Sequence, residues 1–221
     1  MSTPVTAPAT ADPDGAEPRT FRRTTLDLGD AVLRPWGRAD AEPGALLDSL
    51  VAAAADPLIA LWNPLPARDH AAALTWLAAR EDSWDQGTAA PFAVLDATGG
   101  TLLGCVNLRW TDRADGLAMI GYWAPPAGRG RGVIARATRA VTAWGFRTAD
   151  ARRIEIAHAV GNEASCRLAL NCGYLAEGTL RASYRFGDGT YHDEHLHARL
   201  ATDPEPAPVP VPASSPSPSP R

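Results

Sequence analysis

Trp123-Ala-Pro-Pro-Ala-Gly-Arg-Gly-Arg-Gly-Val-Ile-Ala-Arg-Ala-Thr138 decides how the rest of the chain is read. The apolar run Leu117 to Trp123 ahead of it predicts a strand. Pro125 and Pro126 stop that strand, because neither donates a ladder hydrogen bond. Gly128, Gly130 and Gly132 then alternate with Arg129 and Arg131. From Val133 the period becomes helical, with Val133, Ala137, Ala140, Val141 and Trp144 on one face. A glycine-rich turn entering a helix turns several unpaired N–H groups toward one point, and the helix dipole adds positive charge there. Such a place binds a phosphate or pyrophosphate.

Two patterns fit the loop. Gly130-Arg-Gly132-Val-Ile-Ala135 matches the dinucleotide fingerprint G-x-G-x-x-G/A, with Glu155 about twenty residues on. Against it, Ala124 to Gly128 intervene between strand and loop, and Glu155 falls inside the strand Arg153–His158 rather than at its end. The loop is also too late in the chain for a repeated nucleotide-binding unit. Arg129-Gly-Arg-Gly132-Val-Ile134 instead matches a Q/R-x-x-G-x-G/A loop.

Outward from the loop, the order of elements is legible. Thr24 to Pro35 reads as a first strand. Asp40 starts a helix through Leu46, Leu47, Leu50 and Val51, stopped before Asp56-Pro57. Asp69 to Glu81 reads as a second helix. Pro91–Asp96 and Thr101–Trp110 are strands joined through Gly99-Gly100. After Leu117–Trp123 and the helix to Thr148, Arg153–Ala159 is a parallel strand reached by a crossover. Glu163–Asn171 is a helix closed at Cys172-Gly173, and Tyr174–Tyr184 and Thr190–Leu200 are strands about Gly187-Asp-Gly189. The expected fold class is α/β: a mixed sheet with helices on both faces.

Of the 221 residues, 1–20, largely Pro, Ala, Thr and Asp, and 204–221, rich in Pro and Ser, read as disordered tails, leaving one domain over 21–203. A formal net charge of −4 gives no reason to expect a nucleic-acid partner. All 21 basic residues are arginine, which reads as codon bias. Cys105, Cys166 and Cys172 show no paired spacing, pointing to a reducing, cytoplasmic compartment. No run of eighteen apolar residues marks a membrane span, so no membrane partner is expected.

Three stretches together resemble the GCN5-related N-acetyltransferase (GNAT) superfamily, in its RimJ/RimL-type branch, from about Thr24 to Leu200. They are Ile120-Gly-Tyr-Trp123 with Arg129-Gly-Arg-Gly132; Asn162-Glu-Ala-Ser165 with Asn171-Cys-Gly-Tyr174; and Glu177-Gly-Thr-Leu-Arg181 with Asp188-Gly and Asp193. The resemblance implies a GNAT acyl-CoA N-acyltransferase fold with a splayed central sheet, and acetyl-CoA as co-substrate. It implies that the pyrophosphate is held by Arg129, Gly130, Arg131, Gly132, Val133 and Ile134. Tyr122 and Trp123 would end the strand beside which the acyl chain lies, and Asn162 would bond the pantetheine arm. Ser165 would face the thioester sulfur, with an N–H near Tyr122 as oxyanion donor. The acceptor is a small-molecule or peptide primary amine, with Trp62, Asn63 and His195 on its side, and relatives pair across their last strands, so a homodimer is possible.

Three positions depart from the family pattern. Ile134 stands where Gly or Ala is usual. Ala169 stands where many members carry a tyrosine acid, and Met119 where the branch often carries a glutamate base. Glu155, His158, Asp193 and His195 are the candidate bases in its place. The missing groups motivate an alternative: a non-catalytic acyl-CoA-binding or sensing protein. The run His192-Asp-Glu-His195-Leu-His197 invites a metal, but on a strand His195 and His197 share one face and His192 and Glu194 the other. Two or three ligands converge at most, and no metal is expected.

Overall fold

The computed structural model describes residues 21–41 and 45–207; the tail readings over 1–20 and 208–221 lie outside the described residues. Eight strands form one sheet in the order β1-β2-β3-β4-β5-β6-β8-β7. They are β1 (Leu26–Asp27), β2 (Ala31–Pro35), β3 (Ala89–Asp96), β4 (Leu102–Asp112), β5 (Leu117–Trp123), β6 (Arg153–Ala159), β7 (Leu175–Arg185) and β8 (Tyr191–Leu200). The helices are α1 (Ala45–Ala55), α2 (Pro57–Trp62), α3 (His70–Asp85), α4 (Val133–Thr148) and α5 (Glu163–Asn171), with short 3₁₀ turns at Arg38–Ala41 and Pro126–Gly128. All pairings are antiparallel except β5–β6, which α4 connects as a crossover.

One apolar layer joins α4 and α5 to the sheet through Val133, Ala137, Val141, Ile154 and Ile156, and extends to Phe21, Trp84, Phe92 and Trp144. Those four aromatics meet edge-on or tilted, with centroids 5.0–5.8 Å apart. Each such contact adds about 0.5–1.5 kcal/mol to the gain from burial. The second layer packs α1–α3 on the other face through Trp36, Leu50, Ile59, Trp76, Leu77 and Trp123.

Three expected elements take a different form. Thr24–Pro35 is a hairpin rather than one strand, because Gly29 at φ 82° turns the chain between β1 and β2. Asp40 does not start α1. It is buried, accepts the Gly37 N–H at 3.1 Å and pairs with Arg34, so it closes a 3₁₀ turn while α1 begins at Ala45. Asp56-Pro57, read as a stop, opens α2: the Asp56 carboxylate accepts the N–H groups of Leu58 and Ile59 at 3.1 and 3.0 Å, and proline occupies the first turn, where no N–H is needed.

Candidate active site

β5 and β6 share three register pairs, Leu117–Arg153, Ala118–Ile154 and Met119–Glu155, and then part. Each continues along a partner on its far side: β5 stays on β4 as far as Cys105–Trp123, and β6 stays on β8 as far as Ala159–Glu194. Anchored that way, Ile120–Trp123 and Ile156–Ala159 turn unpaired edges toward one another. A cleft of about 590 Å³ opens there, lined by Trp62, Asn63, Tyr122, His158, Asn162 and Ser165 among others.

The glycine loop follows β5, whose last residue, Trp123, lines the cleft. Gly132 sits at φ 65° before α4 and offers no side-chain cap, so the first-turn amides of α4 lack an internal acceptor. Gly128 must be glycine, because a Cβ there would lie 1.8 Å from the Leu103 carbonyl oxygen. Ile134 does not crowd the loop: its side chain is buried, with Cδ1 filling the space above Gly104. Arg129 departs from its expected role. Its guanidinium pairs with Asp56, holding that carboxyl below its ordinary range. The loop is thus tied to α2, while Arg131 is exposed and donates to the Ala127 carbonyl at 3.3 Å.

At the vertex, the Tyr122 and Ser165 hydroxyls lie 2.6 Å apart. Burial pushes the Tyr122 phenol up, so it stays a neutral donor. The Tyr122 carbonyl accepts the Asn63 side-chain amide at 3.2 Å, which fixes the end of β5 from the end of α2. Asn162 caps α5, its side-chain oxygen accepting the Ser165 N–H at 3.2 Å. The position of the absent tyrosine is the buried Ala169, and a hydroxyl reaches Ser165 from β5 instead.

Glu155 is not brought into the cleft; it pairs with Arg153 at 2.8 Å. Asp193 accepts the Ala182 N–H at 2.8 Å and supports the β7 irregularity. His158 lines the cleft, buried and facing the α5 side, with desolvation lowering its pKa. The one carboxylate among the lining residues is Glu194, hydrogen-bonded by the Ser183 hydroxyl at 2.5 Å. No sequence motif marks Glu194 as a base; its strand position, one residue before His195, puts it on the face opposite that histidine. His195 faces the α5 side with His158, His197 and Cys166, and the donor atoms of those four lie within 4.8 Å of one another. More groups converge there than the run 192–197 implied, because β6 and α5 each add one.

The far wall is aromatic. Trp62 meets Phe186 and His192 edge-on at 5.8 and 6.3 Å. Gly187 docks the β7–β8 turn on α2: its N–H donates to the Leu61 carbonyl at 2.9 Å, and a Cβ would lie 1.7 Å from the Ala60 carbonyl oxygen. The motif Glu177…Asp188…Asp193 turns out to frame this hairpin. Glu177 pairs with Arg153 at 2.5 Å, and Asp188 accepts from Thr190.

A family model described as an acetyltransferase (GNAT) domain matches residues 30–175. The chain belongs to the GNAT acetyltransferase family. YdaF of Bacillus subtilis (strain 168) is 34% identical over 94 residues, 42% of this chain and 51% of that protein. A ribosomal-protein-serine acetyltransferase of Escherichia coli (strain K12) is 30% identical over 99 residues, 45% of this chain and 55% of that protein. The chain spans about half the length of these curated relatives. A RimL ribosomal α-N-protein acetyltransferase in complex with coenzyme A shares the GNAT fold, with a TM-score of 0.71 at 19% identity over 80% of this chain and 98% of that one. Among the described residues, no helix is long and apolar enough to cross a membrane.

Proposed function

We propose that this GNAT chain is an acetyl-CoA-dependent N-acetyltransferase whose acceptor is the α-amino group of a peptide or protein. The observation that carries the reading is the splay of β5 from β6, with uncapped α4 at one end and the Tyr122–Ser165 hydroxyl pair at the vertex. Acetyl-CoA is the second substrate. Its pyrophosphate suits the amides from Gly130 to Ile134, and its pantetheine amides suit the open strand edges. Glu194 takes one proton from the acceptor ammonium, and the freed amine nitrogen attacks the thioester carbonyl. An N–H on the open β5 edge near Tyr122 stabilises the oxyanion. The C–S bond breaks; Ser165, backed by Tyr122, gives its proton to the departing thiolate and is reprotonated by the second N–H proton of the attacking nitrogen. Trp62 and Phe186 wall the acceptor side.

A protein acceptor rests on the names of the curated relatives and the family's RimL neighbour. The domain in this reading runs from 21 to 203, with Pro206 and Ala207 held against Arg139 just beyond it. The three free cysteines suit a reducing cytoplasm. A homodimer across β7 is part of the same reading: Leu175, Leu180 and Tyr184 are exposed along that edge strand. Sedimentation at micromolar concentration tests it, and a purely monomeric boundary removes it.

The test of function is thiol release from acetyl-CoA against a panel of N-terminal peptides and small amines, with calorimetry of coenzyme A binding alongside. Turnover on peptides is expected. Tight binding with no turnover on any amine replaces this reading with an acyl-CoA sensor, and no binding removes both.

A further inference from the structure

Three histidines and a cysteine meet on the α5 side of the sheet, where His158 also lines the cleft. His158 on β6 lies opposite His195 on β8, and His197, opposite Ile156, shares their face. Cys166, in the first turn of α5, covers them. The donor atoms of the four lie within 4.8 Å of one another; His158 Nε2 is 3.1 Å from His197 Nε2, which is 3.9 Å from Cys166 Sγ. His197 and His158 are buried, at 1% and 5% exposure.

Each of the two buried rings has a carbonyl beside its Nδ1. His158 Nδ1 lies 2.9 Å from the Ala159 carbonyl oxygen, and His197 Nδ1 lies 3.4 Å from that of Tyr174. A carbonyl only accepts, so the tautomer these contacts favour has a proton on each Nδ1, which would leave both Nε2 atoms pointing lone pairs at each other across 3.1 Å. Such an arrangement repels unless a cation lies beside it. A carbonyl holding the far nitrogen is also the outer support that fixes the tautomer of a metal-bound imidazole.

We infer that His158, Cys166, His195 and His197 form a four-coordinate zinc(II) site. Tetrahedral zinc, with Zn–N near 2.05 Å and Zn–S near 2.3 Å, places its ligand atoms about 3.3–3.6 Å apart. The cluster needs only a contraction of about an ångström at its widest pair. Three imidazoles and one thiolate are a borderline-soft set suited to zinc or cobalt(II) rather than calcium or magnesium. With four protein ligands no position stays open for substrate, so the metal is a staple. It fastens the start of α5, and with it Ser165, to β6 and β8. The site stands on its own residues and not on the acetyltransferase reading.

The test uses the full-length, reduced, chelator-stripped protein titrated with cobalt(II). The expected result is one cobalt per chain, intense visible bands of a tetrahedral ion and a thiolate-to-cobalt band in the near ultraviolet, all displaced by equimolar zinc(II). Cys166→Ser is expected to lose the near-ultraviolet band. His197→Asn is expected to weaken binding at least about 100-fold, since loss of outer partners alone costs about 10–100-fold. Zinc is expected to raise the melting temperature of the parent and not of Cys166→Ser. Weak, octahedral-type absorption, a near-ultraviolet band that survives Cys166→Ser, or no uptake by the parent at micromolar metal would each overturn the site, whatever the variants do to folding.

Discussion

The two walls of the cleft are built by different means. The coenzyme wall is continuous in sequence: β5, the glycine loop and α4 follow one another from Leu117 to Thr148, and each residue sits where its immediate neighbours put it. The acceptor wall is assembled from distant pieces: α2, the tip of the β7–β8 hairpin, and Glu194 on an inner strand. A contiguous wall is set by local rules such as turn glycines and open helix amides. An assembled wall is free to change its chemistry without disturbing the other. Variants in the two walls are therefore expected to separate: one class moves coenzyme affinity, the other moves turnover and acceptor affinity.

The largest separation is expected from Glu194→Gln. If Glu194 takes the amine proton, kcat falls about 10²–10⁴-fold, as loss of a general base does, while calorimetric coenzyme A affinity stays at the parental value. A parental kcat in Glu194→Gln would remove Glu194 from the role of base. Next is the vertex. Ser165→Ala and Tyr122→Phe each are expected to lower kcat about tenfold or more, and the double variant no further than the worse single one, because residues acting as one relay are not additive. Independent losses that multiply would separate the two hydroxyls into different roles.

Gly187→Ala probes the seam of the assembled wall. With a carbonyl oxygen 1.7 Å from the new Cβ, the β7–β8 turn must lift from α2, at about 1–3 kcal/mol. Acceptor KM is expected to rise several-fold with coenzyme A binding unchanged. Gly128→Ala makes the matching change in the contiguous wall, where the oxygen of Leu103 is 1.8 Å away, and is expected to do the reverse.

The same division explains what was legible beforehand. α4, β6 and α5 begin and end where the local signals put them: Gly132 before Val133, an apolar strand from Arg153 to Ala159, Asn162 capping and Cys172-Gly173 closing. The glycine loop belongs to that class. The splay, expected through the family resemblance alone, does not, because it depends on register, and three pairs followed by divergence leave no mark in either strand's composition. α2 escaped because a six-residue helix has too little periodicity to register, and Asp-Pro both ends helices and begins them. Glu194 and the His–Cys cluster were hidden for one reason: the run 192–197 alternates faces, and what each face meets is supplied by β6 and α5, far off in sequence.

One residue touches both walls, and it gives the smallest effect. The Asp56 carboxylate caps α2 on the acceptor side and pairs with Arg129 of the coenzyme loop. Asn keeps the cap but removes the charge, so Asp56→Asn isolates the tie between the walls. Its partner Arg129 remains a third exposed, so the loss is about 1 kcal/mol or less, seen as a lower melting temperature near neutral pH. The sign of the pH dependence follows from the direction of the shift. Arg129 first, and the α2 amides after it, hold the Asp56 pKa below its unfolded value. The ion pair therefore contributes fully above that unfolded value, about 3.9, and fades as pH falls through the lower folded value. Melting temperatures of parent and Asp56→Asn are expected to differ at pH 7 and to converge below pH 4. A gap that persists into acid would place the tie in hydrogen bonding rather than charge, and a gap that is absent at pH 7 would leave the two walls mechanically independent.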